Sequence, residues 1–149
     1  MAAYNTFVTK LEGIEKVIAA ANALERRIQR GGMRAALNKA TTPMLRKARA
    51  LAPKESGALK RSLKKKVSTN KRQDAVTVVI GADKKTTVVY QGKVRKPSRY
   101  LHLVEMGHGS VPPQPFLRPA YESTRKETTA IYSAELKKAI EKRTAQLTR

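Results

Sequence analysis

The run from Gly107 to Pro119, GHGSVPPQPFLRP, restricts the fold of this chain more than any other stretch. Pro112, Pro113, Pro115 and Pro119 fall within eight residues. A proline has no amide N–H and holds the residue before it in extended backbone, so the run is neither regular helix nor central strand. It has to be a stiff, extended connector. On its N-terminal side Tyr100, Leu103, Val104 and Gly107 are spaced i, i+3, i+4 and i+7, one face of two helical turns. Gly107 and Gly109 stop that helix, because glycine reaches the left-handed conformation in which helices commonly end. On the C-terminal side Pro119 suits the first turn of a further helix, where its missing N–H costs nothing. Phe116 and Leu117 are the natural anchors that pin the connector to a core. Residues 99–117 therefore read as a short helix and proline arm, and 118–147 as a long helix.

Residues 8–52 read as a helical pair. From Thr9 to Arg30 an apolar stripe of Leu11, Ile14, Val17 or Ile18, Ala21, Leu24 and Ile28 marks an amphipathic helix. Thr9 with Glu12 makes a capping box, and Gly31-Gly32 is the expected stop. The second helix runs from Met33 to Leu51, with a kink or break expected at Pro43 and Thr41 or Thr42 at the boundary. Ala35, Ala36, Ala40, Ala48 and Ala50 permit close approach of a neighbour, either in the core or in another subunit. Pro53 ends this helix, and Gly57 sets up a short segment in which Leu59 and Leu63 are buried.

Residues 57–98 form the strand region. Lys66–Thr69, Val76–Ile80 and Thr87–Gln91 are rich in Val, Thr, Ile and Tyr, with polar turns at Asn70–Asp74 and Gly81–Lys85. Ala75–Ile80 is the most apolar and is expected at the centre of the sheet. Lys93, Arg95 and Lys96 form a basic loop ahead of Pro97, which is either a flexible arm gripping a polyanion or a solvated hairpin end. The C-terminal helix has a weak stripe of Tyr121, Thr124, Thr128 and Ile131, then Tyr132, Leu136, Ile140 and Leu147. The predicted whole is one α+β domain over residues 1–149: two N-terminal helices, a small antiparallel sheet of three to four strands, a short helix, a proline-rich arm and a long C-terminal helix.

Charge narrows the partners. Thirty-two Lys and Arg oppose eleven Asp and Glu, a formal +21, and residues 54–99 alone hold fourteen basic against three acidic. Such an excess repels itself and favours polyanions. Lys60, Arg61, Lys64, Lys65, Lys66, Lys93, Arg95, Lys96 and Arg99 are the residues expected to face one. The same charge also fits a solvated face or an acidic protein neighbour. Base-specific readout is disfavoured, since only seven Phe and Tyr are present and no recognition-helix pattern appears.

No catalytic, metal-binding or cofactor-binding constellation is expected. Cysteine is absent, and His102 and His108 have no ligand partner at metal spacing. Ser62-Leu63-Lys64-Lys65 matches a Ser-x-x-Lys pattern, which a lysine-rich chain produces by chance. Glu105, the one acid in the organising stretch, is expected to form an ion pair with Arg118, Arg99 or a lysine. No apolar run approaches the roughly 18–20 residues of a membrane span. The N-terminus lacks a basic flank followed by an apolar block, so no signal peptide is expected.

Two pieces of the chain resemble a known family. Tyr100-x-x-x-Val104-Glu105-x-Gly107, followed by Pro113-x-Pro115-Phe116-Leu117-Arg118-Pro119-Ala120, is similar to the signature of the HK97 gp10-like proteins. These are tail-completion, or head–tail joining, proteins of long-tailed bacteriophages. Ala52–Leu63, APKESGALKRSL, resembles the family's other recurrent piece, and the pattern can be laid from about Leu11 to about Lys138. Met106 and His108 depart from it, standing where an aromatic and a Thr or Ser are commoner. The resemblance makes Pro53, Gly57, Leu59, Tyr100, Val104, Glu105, Gly107, Pro115, Phe116, Leu117 and Pro119 the structural or interface motif. It implies a non-enzymatic virion protein assembled in the host cytoplasm into a ring, a hexamer, at the tail–head junction. Its implied partners are further copies, the tail terminator or tail tube, the head connector, and DNA passing through the lumen. The alternative from charge alone is a stand-alone basic nucleic-acid-binding protein.

Overall fold

The computed structural model describes residues 26–70 and 75–147. In chain order it contains α1 (Arg26–Ala40), α2 (Thr42–Leu51), α3 (Ala58–Ser62), β1 (Leu63–Asn70), β2 (Ala75–Ala82), β3 (Val88–Tyr90), β4 (Lys93–Arg95), α4 (Pro97–Met106) and α5 (Leu117–Leu147). The class is α+β, as the sequence predicts. Most of the expected first helix, from Thr9 to Glu25, lies outside the described residues, as does the turn at 71–74. The described residues divide into two compact units: 43–65 with 79–125, and 26–42 with 66–70, 75–78 and 126–147.

In the second unit α1 packs against the later part of α5. Ala36, Ala40, Tyr132 and Leu136 are its buried centre, with Met33, Leu37, Ile131 and Ile140 around them. Lys39 donates to Glu135 at 2.8 Å on the rim. That hydrogen bond holds the Glu135 carboxyl below the usual carboxylate range. Helix α1 corrects one expectation: Gly31-Gly32 does not end a helix but lies inside one. Each glycine costs a helix interior roughly 1 kcal/mol relative to alanine. At Gly32 the missing side chain admits a neighbour, since a Cβ there would stand 3.4 Å from that of Ala139. Gly32, Ala36 and Ala40 recur every fourth residue, so the small residues serve intramolecular packing. The chain breaks instead at Thr41, whose hydroxyl donates to the Leu37 carbonyl at 2.9 Å. Pro43 then falls in the first turn of α2, where a proline is tolerated.

The first unit buries Leu45, Ala48, Ala52, Ala58, Leu59, Leu63, Pro97, Phe116, Leu117 and Ala120. Its helix α3 packs on α4. The four strands make two two-stranded ladders, β1–β2 and β3–β4, rather than one sheet. Ala75–Ile80 therefore has a single partner strand and no central position. The cause is local turn chemistry. Asp83 donates its N–H to the Ser62 carbonyl at 2.8 Å and accepts from Thr86 N–H at 3.1 Å. Its carboxylate takes the Lys85 N–H at 3.2 Å and Lys64 Nζ at 2.6 Å. These contacts, the lysine hydrogen bond first, hold the Asp83 carboxyl below its ordinary range. The chain is thereby turned away after Ala82, and a second tight turn follows. Gln91 (φ 50°) and Gly92 (φ 71°) both have positive φ, the pairing that a two-residue hairpin requires. The turn pairs Val88 with Arg95, Val89 with Val94 and Tyr90 with Lys93. The expected basic loop at Lys93–Arg95 is thus a strand.

Helix α5 buries Phe116 just ahead of it, then Ala120, Thr124, Thr128, Tyr132 and Leu136, a strict fourth-residue series. At 3.6 residues per turn such a series winds around the helix instead of keeping to one face. That is why its apolar stripe looks weak in sequence. The Thr124 hydroxyl donates to the Ala120 carbonyl at 2.7 Å, which satisfies it within the helix.

Candidate interface site: a proline arm clamped by a carboxylate

Helix α4 begins at Pro97, with Lys96 in extended backbone ahead of it, and runs to Met106. Gly107 stops it at φ 79°, ψ 163°, a region open essentially to glycine alone. Space imposes the same choice. A Cβ on Gly107 would lie 3.0 Å from both Pro113 N and Val111 O. The arm turns back at that point. His108 N–H donates to the Val111 carbonyl at 3.1 Å, Val111 N–H returns the bond to His108 at 2.9 Å, and Gln114 N–H donates to Val104 O at 2.8 Å. The arm is fastened to the end of α4 by these bonds, while residues 108–115 stay exposed.

Glu105 closes the device. Its carboxylate is buried and accepts three backbone N–H groups: Phe116 at 2.9 Å, Leu117 at 3.1 Å and Arg118 at 2.9 Å. A helix N-terminus leaves its first four N–H groups without intrahelical partners and carries partial positive charge. Glu105 meets both needs across the arm. The first turn of α5 holds no acidic residue of its own. The expected ion pair with Arg118, Arg99 or a lysine is therefore replaced by a cap on backbone amides. Arg118 contributes its N–H, and its side chain is exposed. The usable sequence signal is a long helix without a local capping acid, preceded by a short helix that ends in one.

The second motif piece meets the first. Gly57, at φ 64°, caps α3. Ala58 N–H donates to the Ser56 hydroxyl at 3.3 Å, and Arg61 donates to the Ser56 carbonyl at 3.2 Å. Ser56 also hydrogen-bonds the Tyr100 phenol on α4. Burial pushes that phenol above its ordinary range, against the opposing pull of Arg95 and the Ser56 bond. Leu59 is buried, Pro53, Tyr100, Val104 and Pro119 are half-buried, and Pro115 is exposed. Ser62 is fully buried and its hydroxyl donates to Leu59 O at 2.8 Å, so it packs the turn and is no exposed nucleophile.

Lys60, Arg61, Lys64, Lys66, Lys93, Arg95, Lys96 and Arg99 are exposed. Lys65 is half-buried, and burial lowers its pKa. Lys64 and Arg61 are engaged with Asp83 and Ser56, so part of this set serves the fold. Arg95 lies over the Tyr90 ring, 5.5 Å from its centre. His102 and His108 are exposed. Among the described residues no three His, Cys, Asp or Glu side chains are grouped to hold a metal ion, and no helix is long and apolar enough to cross a membrane.

No curated protein and no solved structure matches the chain significantly. A family model described as "Bacteriophage HK97-gp10, putative tail-component" matches residues 15–107, well over half of the sequence, and ends on the glycine that turns the arm. The chain belongs to the HK97-gp10-like family of bacteriophage tail components.

Proposed function

We propose that this protein is a tail-completion subunit that joins tail to head, assembling with copies of itself into a six-fold ring at the junction. The observation that carries the reading is the clamped arm. Residues 108–115 are exposed yet held at both ends, by the turn at Gly107 and by Glu105. A segment fixed in this way loses little entropy on docking. Val111 on it stands 59% exposed and Met106, at the end of α4 beside it, 68% exposed, and both supply apolar contact. A closed ring needs two different complementary faces. The arm is one, and the end of α5, where residues 141–146 are all exposed, is the other. The protein acts by binding, without chemistry of its own. Its neighbours are the tail tube or terminator and the head connector. Lys60–Lys66 and Lys93–Arg99 face a polyanion, either DNA in the lumen or acidic protein surface. A charge of +21 per subunit opposes closure of the protein alone. Particles lacking the protein should accumulate as separate filled heads and tails, and purified protein should restore joining. Normal joined particles without it would refute the reading, and tight binding to duplex DNA with a steep salt slope would favour a stand-alone DNA binder.

A further inference from the structure

The β3–β4 hairpin carries a surface that the arm does not account for. Val89 and Val94 are direct cross-strand partners and each is 68% exposed. Side chains alternate between the two faces of a strand pair, so Val88, Tyr90, Lys93 and Arg95 share the opposite face. There the Arg95 guanidinium lies over the Tyr90 ring. The ribbon thus has one bare valine face and one basic, aromatic face. From Lys84 to Arg99 the chain holds six Lys or Arg and no Asp or Glu. Among the described residues, no carboxylate pairs with Lys93, Arg95, Lys96 or Arg99.

We infer that this hairpin is a docking prong for an acidic protein surface that also offers apolar contact, and that it is not a DNA grip. Three-residue strands in an isolated pair are marginal alone, so the ribbon gains most from a partner that covers a face. Charge complementarity requires that partner to be acidic. A second copy, at a formal +21, is itself strongly basic, and a phosphate backbone would leave the valine pair without apolar contact. The inference rests on the proposed function only in taking a polyanionic neighbour.

The test needs no particles, so its failure is separate from a failure of joining. The full chain is titrated, by fluorescence anisotropy, against a labelled peptide of alternating glutamate and valine, a poly-glutamate peptide of equal charge, and a short duplex DNA. The glutamate–valine peptide should bind about ten-fold more tightly than poly-glutamate, which is 1.4 kcal/mol. V89T with V94T keeps β-branched strand residues. It should erase that difference while leaving poly-glutamate binding unchanged. Replacing Lys93, Arg95 and Lys96 with glutamine should weaken both peptides. Equal binding of the two peptides by the unaltered chain would overturn the inference. So would duplex DNA bound more tightly than either peptide and lost with the glutamine variant.

Discussion

The Glu105 carboxylate accepts the amide N–H of Phe116 at 2.9 Å, so the last turn of one helix is tied to the first residue before the next. Between them lie ten residues of glycine- and proline-rich arm. The bond fixes the length of chain the arm can span, and the same carboxylate caps α5 at Leu117 and Arg118.

Replacing Glu105 with alanine should therefore destabilise the fold by about 2–4 kcal/mol, because three amides lose a charged, buried acceptor. Glutamine keeps an acceptor oxygen and loses the charge, and should cost about 1–2 kcal/mol. Urea unfolding followed by circular dichroism measures both.

Gly107 and Gly109 separate conformation from space. Gly107→Ala meets two backbone-region contacts at 3.0 Å as well as a positive φ, and should cost about 2–3 kcal/mol. Gly109, at φ 55° with nothing within 4 Å, should cost only about 1 kcal/mol as alanine. Equal losses in thermal unfolding would mean that the turn is looser than these contacts require.

Phe116 is fully buried. Phe116→Ala should cost roughly 3–5 kcal/mol by denaturant unfolding, whereas a loss below about 1 kcal/mol would place the ring at an interface instead.

Burial raises the pKa of Tyr132, which sits in the α1–α5 core. The folded state therefore favours the neutral phenol. Its contribution is fully present below the ordinary tyrosine value of about 10 and is lost as pH rises through the raised folded value. Tyrosinate absorbance should show a component that ionises above the ordinary range, to which Tyr100 also contributes, and that component should shrink in Tyr132→Phe. A single titration at the ordinary value would contradict this burial.

Much of the arm was legible because proline and glycine dictate backbone directly. The stop at Gly107, the anchor at Phe116 and the start of α5 follow from residue type alone. Gly31-Gly32 misled for the same reason, since the propensity of two glycines was overridden by Ala139 packing against Gly32. The role of Glu105 was hidden because capping across eleven residues depends on where the arm folds, which no periodicity reports. The two ladders were hidden too. Strand composition marks the segments, but the Asp83 contacts and the Gln91-Gly92 turn decide which segments pair.

If the clamped arm is the surface that joins head to tail, removing its exposed apolar side chains must block joining while the fold survives. M106S with V111S removes the exposed apolar side chains of the arm and of the α4 end beside it, and leaves Glu105, Gly107 and Phe116 in place. The variant is added to separated heads and tails from particles that lack the protein, and joined particles are counted by electron microscopy. The variant should keep the unfolding midpoint of the unaltered protein and reduce the yield of joined particles by about ten-fold or more, the equivalent of about 1.4 kcal/mol of lost docking energy. An undiminished yield from a normally folded variant would contradict this role of the arm.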